Sequence, residues 1–411
     1  MSSVGVITDR KRRFYVVAGA LLALWAAALL ALSLTVIPDM YWYSYYAVDY
    51  TVGFVRRGLA GELAGLIPGE NYFLEQRVGR WVSSGAFIIG LAGVAWWIAV
   101  RSGRSERRLQ LAFLVVILPF GFAFGLLQAG STLFGGALLA GFAIALASAK
   151  SDRSVLVASA VFGLVTAVVT LMHEAIPLLF GLGVIAALVV LANQLPGRAF
   201  WGSCALALGP GMATGLVVAV FGRRGVSEAL CRLVPQGRVN NPLAGNPTTG
   251  DLLSGYKYYV DYQDWACRNI TPFYDRDFGD AVNYVGRLGP GGMIVNTLFG
   301  VGIVAISIMA IQLVSGVPFH RMRTLLGRRW PLILIGCVLI VPVFLTGIDW
   351  VRWWVVIAFD IGIVYLLYAS SQPEVDEPPT RTSMRAFVVT MVLLALFPVG
   401  IVPAFSAPLP I

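Results

Sequence analysis

Apolar runs of about 18 residues or more follow one another along most of this chain, and that feature removes nearly every fold class. At 1.5 Å per residue, each run is long enough to cross a hydrocarbon layer of about 30 Å as a helix. Of 411 residues, 58% are hydrophobic and 12% charged, roughly half the charged share of a soluble domain. No strict alternation of the kind a barrel needs is visible. The reading is an all-α polytopic membrane protein, a single integral membrane domain over residues 1–411.

Threading by positive loops puts the basic start, DRKRRF, in the cytoplasm. Eleven transmembrane helices follow, near 14–37, 81–100, 109–128, 132–149, 154–172, 177–193, 199–221, 292–315, 330–347, 353–369 and 386–404. RSGRSERR and HRMRTLLGRR, each with four arginines, mark inner turns. Two segments are left for the outer face: a first outer loop, 38–80, and a large one, 222–291, expected to cap a site. The net charge of +9 is the positive-inside bias of loops, and no nucleic-acid partner is expected. The first apolar run is too long for a cleavable signal. No CxxC or HExxH pattern occurs, so no metal site is assigned. The D-x-D form of Asp275 and Asp277 leaves a divalent metal possible.

The threading gathers the costly polar groups at the outer ends of helices. Ionisable groups near lipid usually pair or serve a site. In VDYTVGFVRRGLAGELAGLI (48–67), Leu59, Leu63, Leu66 and Ile67 fall on one helical face, and Pro68 stops the run. That predicts a short amphipathic helix in the outer interface, with Arg56 and Arg57 at its N-terminal end. Two guanidiniums beside free helix N–H groups suit a phosphate or diphosphate. The plain alternative is an anchor to lipid headgroups. Asp49 or Asp39 is a candidate general base, or simply a partner for Arg56 or Arg57. Glu62, the His173-Glu174 turn, and Asp349 with Trp350 are candidate acceptor or sugar contacts. Asp349 and Arg352, at i and i+3, either pair or divide, with Arg352 as a further phosphate ligand. Asp360, inside a helix, is either a packing hydrogen-bonder, the favoured reading, or a proton-relay residue. Cys231 and Cys267, both expected outside, predict a disulfide.

An interfacial helix after the first span, with acids in the first outer loop, resembles the GT-C glycosyltransferases. FVRRGL, the HE turn and DWVRW are also similar to uncharacterised bacterial membrane proteins of polysaccharide loci. The resemblance implies inverting transfer of a sugar from a polyprenyl-phosphate donor to a glycan or glycolipid acceptor. It places the site on the extracytoplasmic face of the cytoplasmic membrane. Asp49 or Asp39 would be the base, and Arg56, Arg57 and Arg352 the donor-phosphate ligands. Two rivals stand beside it: a polysaccharide polymerase or ligase using polyprenyl-diphosphate oligosaccharides, which would use the same arginines, and a transporter or flippase, which would place its charges near the midplane rather than on one face.

Overall fold

The computed structural model describes residues 9–35, 43–68, 71–101, 103, 105–241, 245, 248, 250–251, 254–402 and 405. Each of the eleven predicted spans coincides with helix over most of its described residues, the third being broken at 118–121. Eight helices are long and apolar enough to cross a membrane: α1 (Asp9–Thr35), α3 (Tyr72–Trp96, extended by a π-turn to Arg101), α4 with α5 (Glu106–Ile117, Phe122–Leu127), α7 (Asp152–Thr170), α9 (Gly197–Phe221), α13 (Gly289–Ser315), α16 (Trp350–Ser370) and α17 (Arg381–Leu396). A ninth is obtained if α14 (Phe319–Arg328) and α15 (Trp330–Thr346), which bend 95° at their junction, count as one span. The other two expected spans, α6 (Leu133–Ser148) and α8 (Ile176–Leu191), have 16 residues each, about 24 Å by helical rise.

Why those two are short is clear from where they lie. In α8, all but two residues are buried, on every side of the helix. It packs with α6, α15 and α16 at the centre of the bundle, and α16 is itself 83% buried along its apolar window. The central helices touch protein rather than lipid and need not match its thickness. By contrast α1, only 6% buried, exposes Val16, Val17, Leu21 and Leu24, the behaviour of a lipid-facing helix.

Helix α3 begins at Tyr72, nine residues before its expected start at 81, because Asn71 caps it by accepting from Leu74 N (3.1 Å). The preceding amphipathic helix is α2 (Gly58–Ala64), seven residues long and buried through Gly58, Ala60 and Ala64. Leu63 and Leu66, on its predicted apolar face, are exposed, as a face turned to lipid requires. Gly58 and Gly61 bring it close to the preceding chain: a Cβ at either would collide with the Tyr50 ring or the Val48 carbonyl.

The 222–291 segment packs against the chain just before α2. It contains α10 (Ser227–Leu233), a two-stranded antiparallel ribbon (β1 Arg238–Asn240, β2 Tyr259–Asp261), α11 (Tyr262–Asn269) and α12 (Phe278–Gly286). The predicted disulfide is formed: Cys231 on α10 joins Cys267 on α11, with Cα atoms 5.1 Å apart. Two small apolar clusters fasten this cap. Tyr43 meets Val234 and Tyr262; Val48 and Val55 meet Val226, Leu230 and Tyr274.

Candidate functional site

Three distant stretches meet beneath the cap. Arg57 stands at the N-cap of α2 with φ 65°, the one non-glycine residue at positive φ among those described. That backbone state is costly for a branched-at-nothing but bulky side chain. It coincides with a bidentate ion pair across 117 residues: Arg57 Nε donates to Glu174 Oε2 (3.0 Å) and Nη2 to Oε1 (2.9 Å). A quarter of each side chain, 27%, stays exposed, so solvent screens part of the attraction.

Tyr45 joins this pair to the third stretch. The Arg57 guanidinium lies 5.6 Å from the Tyr45 ring centroid. The same ring stacks on His173 at 5.8 Å and 14°. Its hydroxyl accepts from Arg352 Nη2 at 3.2 Å. Arg352, 6% exposed, also pairs with Asp349 (2.8 Å) and covers the Trp353 ring (4.4 Å). Tyr45 is not among the candidate residues named from the sequence; the structure makes it the junction of the two ion pairs.

The electrostatics follow from this packing. Burial would raise the Glu174 carboxyl, but Arg57 outweighs it and holds the group well below the usual carboxylate range. Burial first, then the Arg57 charge, pushes His173 down to about 3, so its imidazole is neutral. Its Nδ1 accepts from Ala175 N (3.3 Å), which leaves the proton on Nε2. His173 is 3% exposed.

Arg56 differs from its neighbour. It faces Tyr274, 5.4 Å from the ring centroid, and forms no ion pair among the described residues. Burial lowers its proton affinity, and so do Arg57 and Arg224, against the pull of Glu174. The nearby acids are otherwise engaged. Asp49 Oδ1 accepts from Thr51 N (2.9 Å) and from its hydroxyl. Exposed Glu62 accepts from Tyr50 N (2.9 Å). Neither pairs with an arginine, so the partner of Arg57 is the distant Glu174 rather than an acid nearby in sequence. Asp39 lies outside the described residues.

Other expected contacts take different forms. The free helix N–H groups expected beside the arginines are used within the protein: Gly58, Ala60 and Gly61 donate to Val55, Arg57 and Val48 carbonyls. The indole N–H of Trp350 donates to the Phe344 carbonyl (3.0 Å). Asp275 accepts from Val226 N (2.7 Å) and Ser227 N (3.0 Å), and Asp277 caps α12, so the D-x-D carboxylates hold backbone. Asp360 accepts from Gly183 N (3.0 Å), the packing role expected of it. Among the described residues no three His, Cys, Asp or Glu side chains gather as a metal-ligand set.

The comparisons with known proteins agree with the membrane architecture. The family described as "Uncharacterised membrane protein Rv1490" matches residues 15–395. "Uncharacterized protein Rv1490" of Mycobacterium tuberculosis (strain ATCC 25618 / H37Rv) is 36% identical over 399 residues, covering 96% of this chain and 92% of that protein. "Uncharacterized protein Mb1527" of Mycobacterium bovis is similar to the same extent. No solved structure matches the chain. On the extent of that match, the chain belongs to the family of uncharacterised membrane protein Rv1490.

Proposed function

We propose that this protein transfers a sugar from a polyprenyl-linked phosphosugar to a glycan or glycolipid acceptor, in the manner of GT-C enzymes, on the extracytoplasmic face of the cytoplasmic membrane. One observation carries the reading: residues 48–57, 173–174 and 349–352 converge around Tyr45 under a disulfide-closed cap, beside a short helix with exposed leucines. A lipid-linked anion needs such a place, where an isoprenoid tail lies in the bilayer while its phosphate meets guanidiniums.

In the proposed reaction an acceptor hydroxyl attacks the anomeric carbon. Its proton passes to Asp49, whose Oδ2 has no hydrogen-bond partner among the described residues. The new C–O bond forms as the bond from the anomeric carbon to the phosphate oxygen breaks, with inversion. The departing phosphate keeps the electron pair, and the arginine cluster stabilises its charge. Neutral His173 and the Arg57–Glu174 pair hold the shape of the site.

The test is donor consumption by the full chain reconstituted in vesicles, against a panel of polyprenyl-linked phosphosugars. Asp49→Asn is expected to lower the rate by about 10²- to 10⁴-fold, the usual contribution of a general base. No consumption of any donor by the wild-type chain, or an unchanged rate in folded Asp49→Asn, overturns the assignment.

A further inference from the structure

The cluster is richer in cations than its ion pairs require. The cap crosses the first interhelix segment at its very start: Arg223 N donates to the Phe54 carbonyl (2.7 Å), and Arg223 Nη1 to the Val52 carbonyl (2.8 Å). This pins residues 223–224 beside residues 52–57. Four guanidiniums, Arg56, Arg57, Arg223 and Arg224, are thereby held by two chain segments. The acids that face them are few. Glu174 neutralises Arg57. Asp275 is turned to Val226 and Ser227, Asp49 to Thr51, and Glu62 to Tyr50 N. Arg223 is tied to a carbonyl. Arg56 and Arg224 form no ion pair among the described residues, although Arg224 lies close enough to disfavour the charge on Arg56.

Arg56 is half-buried against the Tyr274 ring and Arg224 is exposed, and like charges held near each other favour an anion between them. We propose that Arg56 and Arg224 form a binding site for the diphosphate of a lipid-linked substrate, one arginine from each of the two chain segments that the Arg223 hydrogen bonds hold together. This rests on the transfer reading above and narrows its donor. A monophosphodiester carries one negative charge; a diphosphate diester carries one on each phosphorus, matching two unpaired guanidiniums. Arg57 and Arg352, each already paired with a carboxylate, are the weaker ligands.

The test is direct binding, without an acceptor, to the purified full chain in nanodiscs of zwitterionic lipid. The probes are farnesyl diphosphate, farnesyl phosphate and inorganic pyrophosphate. Farnesyl diphosphate is expected to bind at least about tenfold more tightly than either of the others, about 1.4 kcal/mol by the standard conversion. Arg56→Gln and Arg224→Gln are each expected to remove most of that preference, while Arg268→Gln, a control at an exposed arginine of α11 already paired with Asp264, keeps it. Equal affinity for farnesyl phosphate overturns the diphosphate assignment and leaves the transfer reading standing. Equal affinity for pyrophosphate overturns the lipid assignment. Unchanged binding in both arginine variants overturns the site. If binding behaves as expected while no donor is consumed, the transfer reading alone fails.

Discussion

Buried arginines occur at both ends of this bundle, and their partners differ. Arg352 and Ser370 lie on the same helix, about 27 Å apart at 1.5 Å per residue. At the Ser370 end, Arg108 Nη1 donates to the Ser370 carbonyl (2.6 Å), and Arg108 holds Asp376 through Nε (2.9 Å) and Nη2 (3.2 Å). Arg107 donates to the carbonyls of Ser315 (2.9 Å) and Pro378 (3.3 Å). Ser315 and Ser370 are the last residues of α13 and α16, so these guanidiniums satisfy carbonyls that a helix C-terminus leaves without partners. Gly316, with φ 76°, makes room, since a Cβ there would collide with Arg107. At the Tyr45 end, guanidiniums meet carboxylates, ring faces and one phenol, and Arg56 meets no carboxylate. Arginines fixed by helix-end carbonyls cannot turn to a ligand without uncapping a helix. Arginines held by aromatic faces and carboxylates can.

The largest effect expected from this contrast is on stability. Arg108→Met should destabilise the protein by about 2–4 kcal/mol, because it strands the Ser370 carbonyl in a buried site. Exposed Asp376 regains water and limits the loss. Thermal unfolding in detergent reads this directly, while farnesyl diphosphate affinity per folded molecule should not change. An unaltered midpoint would erase the distinction between the two ends.

The next effect belongs to His173. The unfolded imidazole takes up a proton near its ordinary value of 6.5, and the folded one not until about 3. Between these values the unfolded state binds more protons, so stability falls as the pH is lowered from 6.5. At one proton the slope is about 1.4 kcal/mol per unit, or roughly 2 kcal/mol lost by pH 5. The depressed Glu174 carboxyl acts in the same direction, but only below its ordinary value of 4.5. His173→Gln should therefore flatten the stability profile between pH 6.5 and 4.5 and leave the lower limb in place. A profile with the same slope in that variant would move the effect to another group.

Smaller again is the coupling within the Arg57–Glu174 pair. A double-mutant cycle of Arg57→Gln and Glu174→Gln should return about 1–2 kcal/mol, because a quarter of each side chain remains in solvent. The sign on binding is more telling. Glu174→Gln releases Arg57, so affinity for farnesyl diphosphate should rise a few-fold. A fall would mean that Glu174 orients the site rather than restraining its charge.

The spans were legible because a 20-residue apolar run has few alternatives. The burial of His173 was not, since α8 reads like any other span until its neighbours show it surrounded by protein. Arg57, Glu174, Asp349 and Arg352 stood out as charges in apolar surroundings. Their pairing was half legible: Asp349 and Arg352 sit one helical turn apart, whereas Arg57 and Glu174 are 117 residues apart and the acids at 39 and 49 lie nearer in the chain. The pairing coincides with a left-handed backbone at Arg57, which no pattern of side chains announces. Tyr45 was hidden among the other aromatics of its loop. Arg224 was hidden because loop arginines are ordinary; it matters through two backbone contacts made by its neighbour.

The smallest expected effect separates a basic site from a merely basic end. Arg268 and Asp264 pair on α11 (2.8 Å), with side chains 68% and 57% exposed. Such i, i+4 pairs contribute about 0.3–0.5 kcal/mol. Arg268→Gln removes one positive charge from the cap, the same change in net charge as Arg224→Gln. If long-range attraction drew anions to this end, the two variants would weaken farnesyl diphosphate binding alike, and both losses would vanish at high salt, where the Debye length shrinks to about 3 Å at 1 M. A local site predicts otherwise: Arg268→Gln shifts affinity by less than about twofold at low salt, while the Arg224→Gln loss persists in high salt, because charge-assisted hydrogen bonds at contact are screened far less than distant charges.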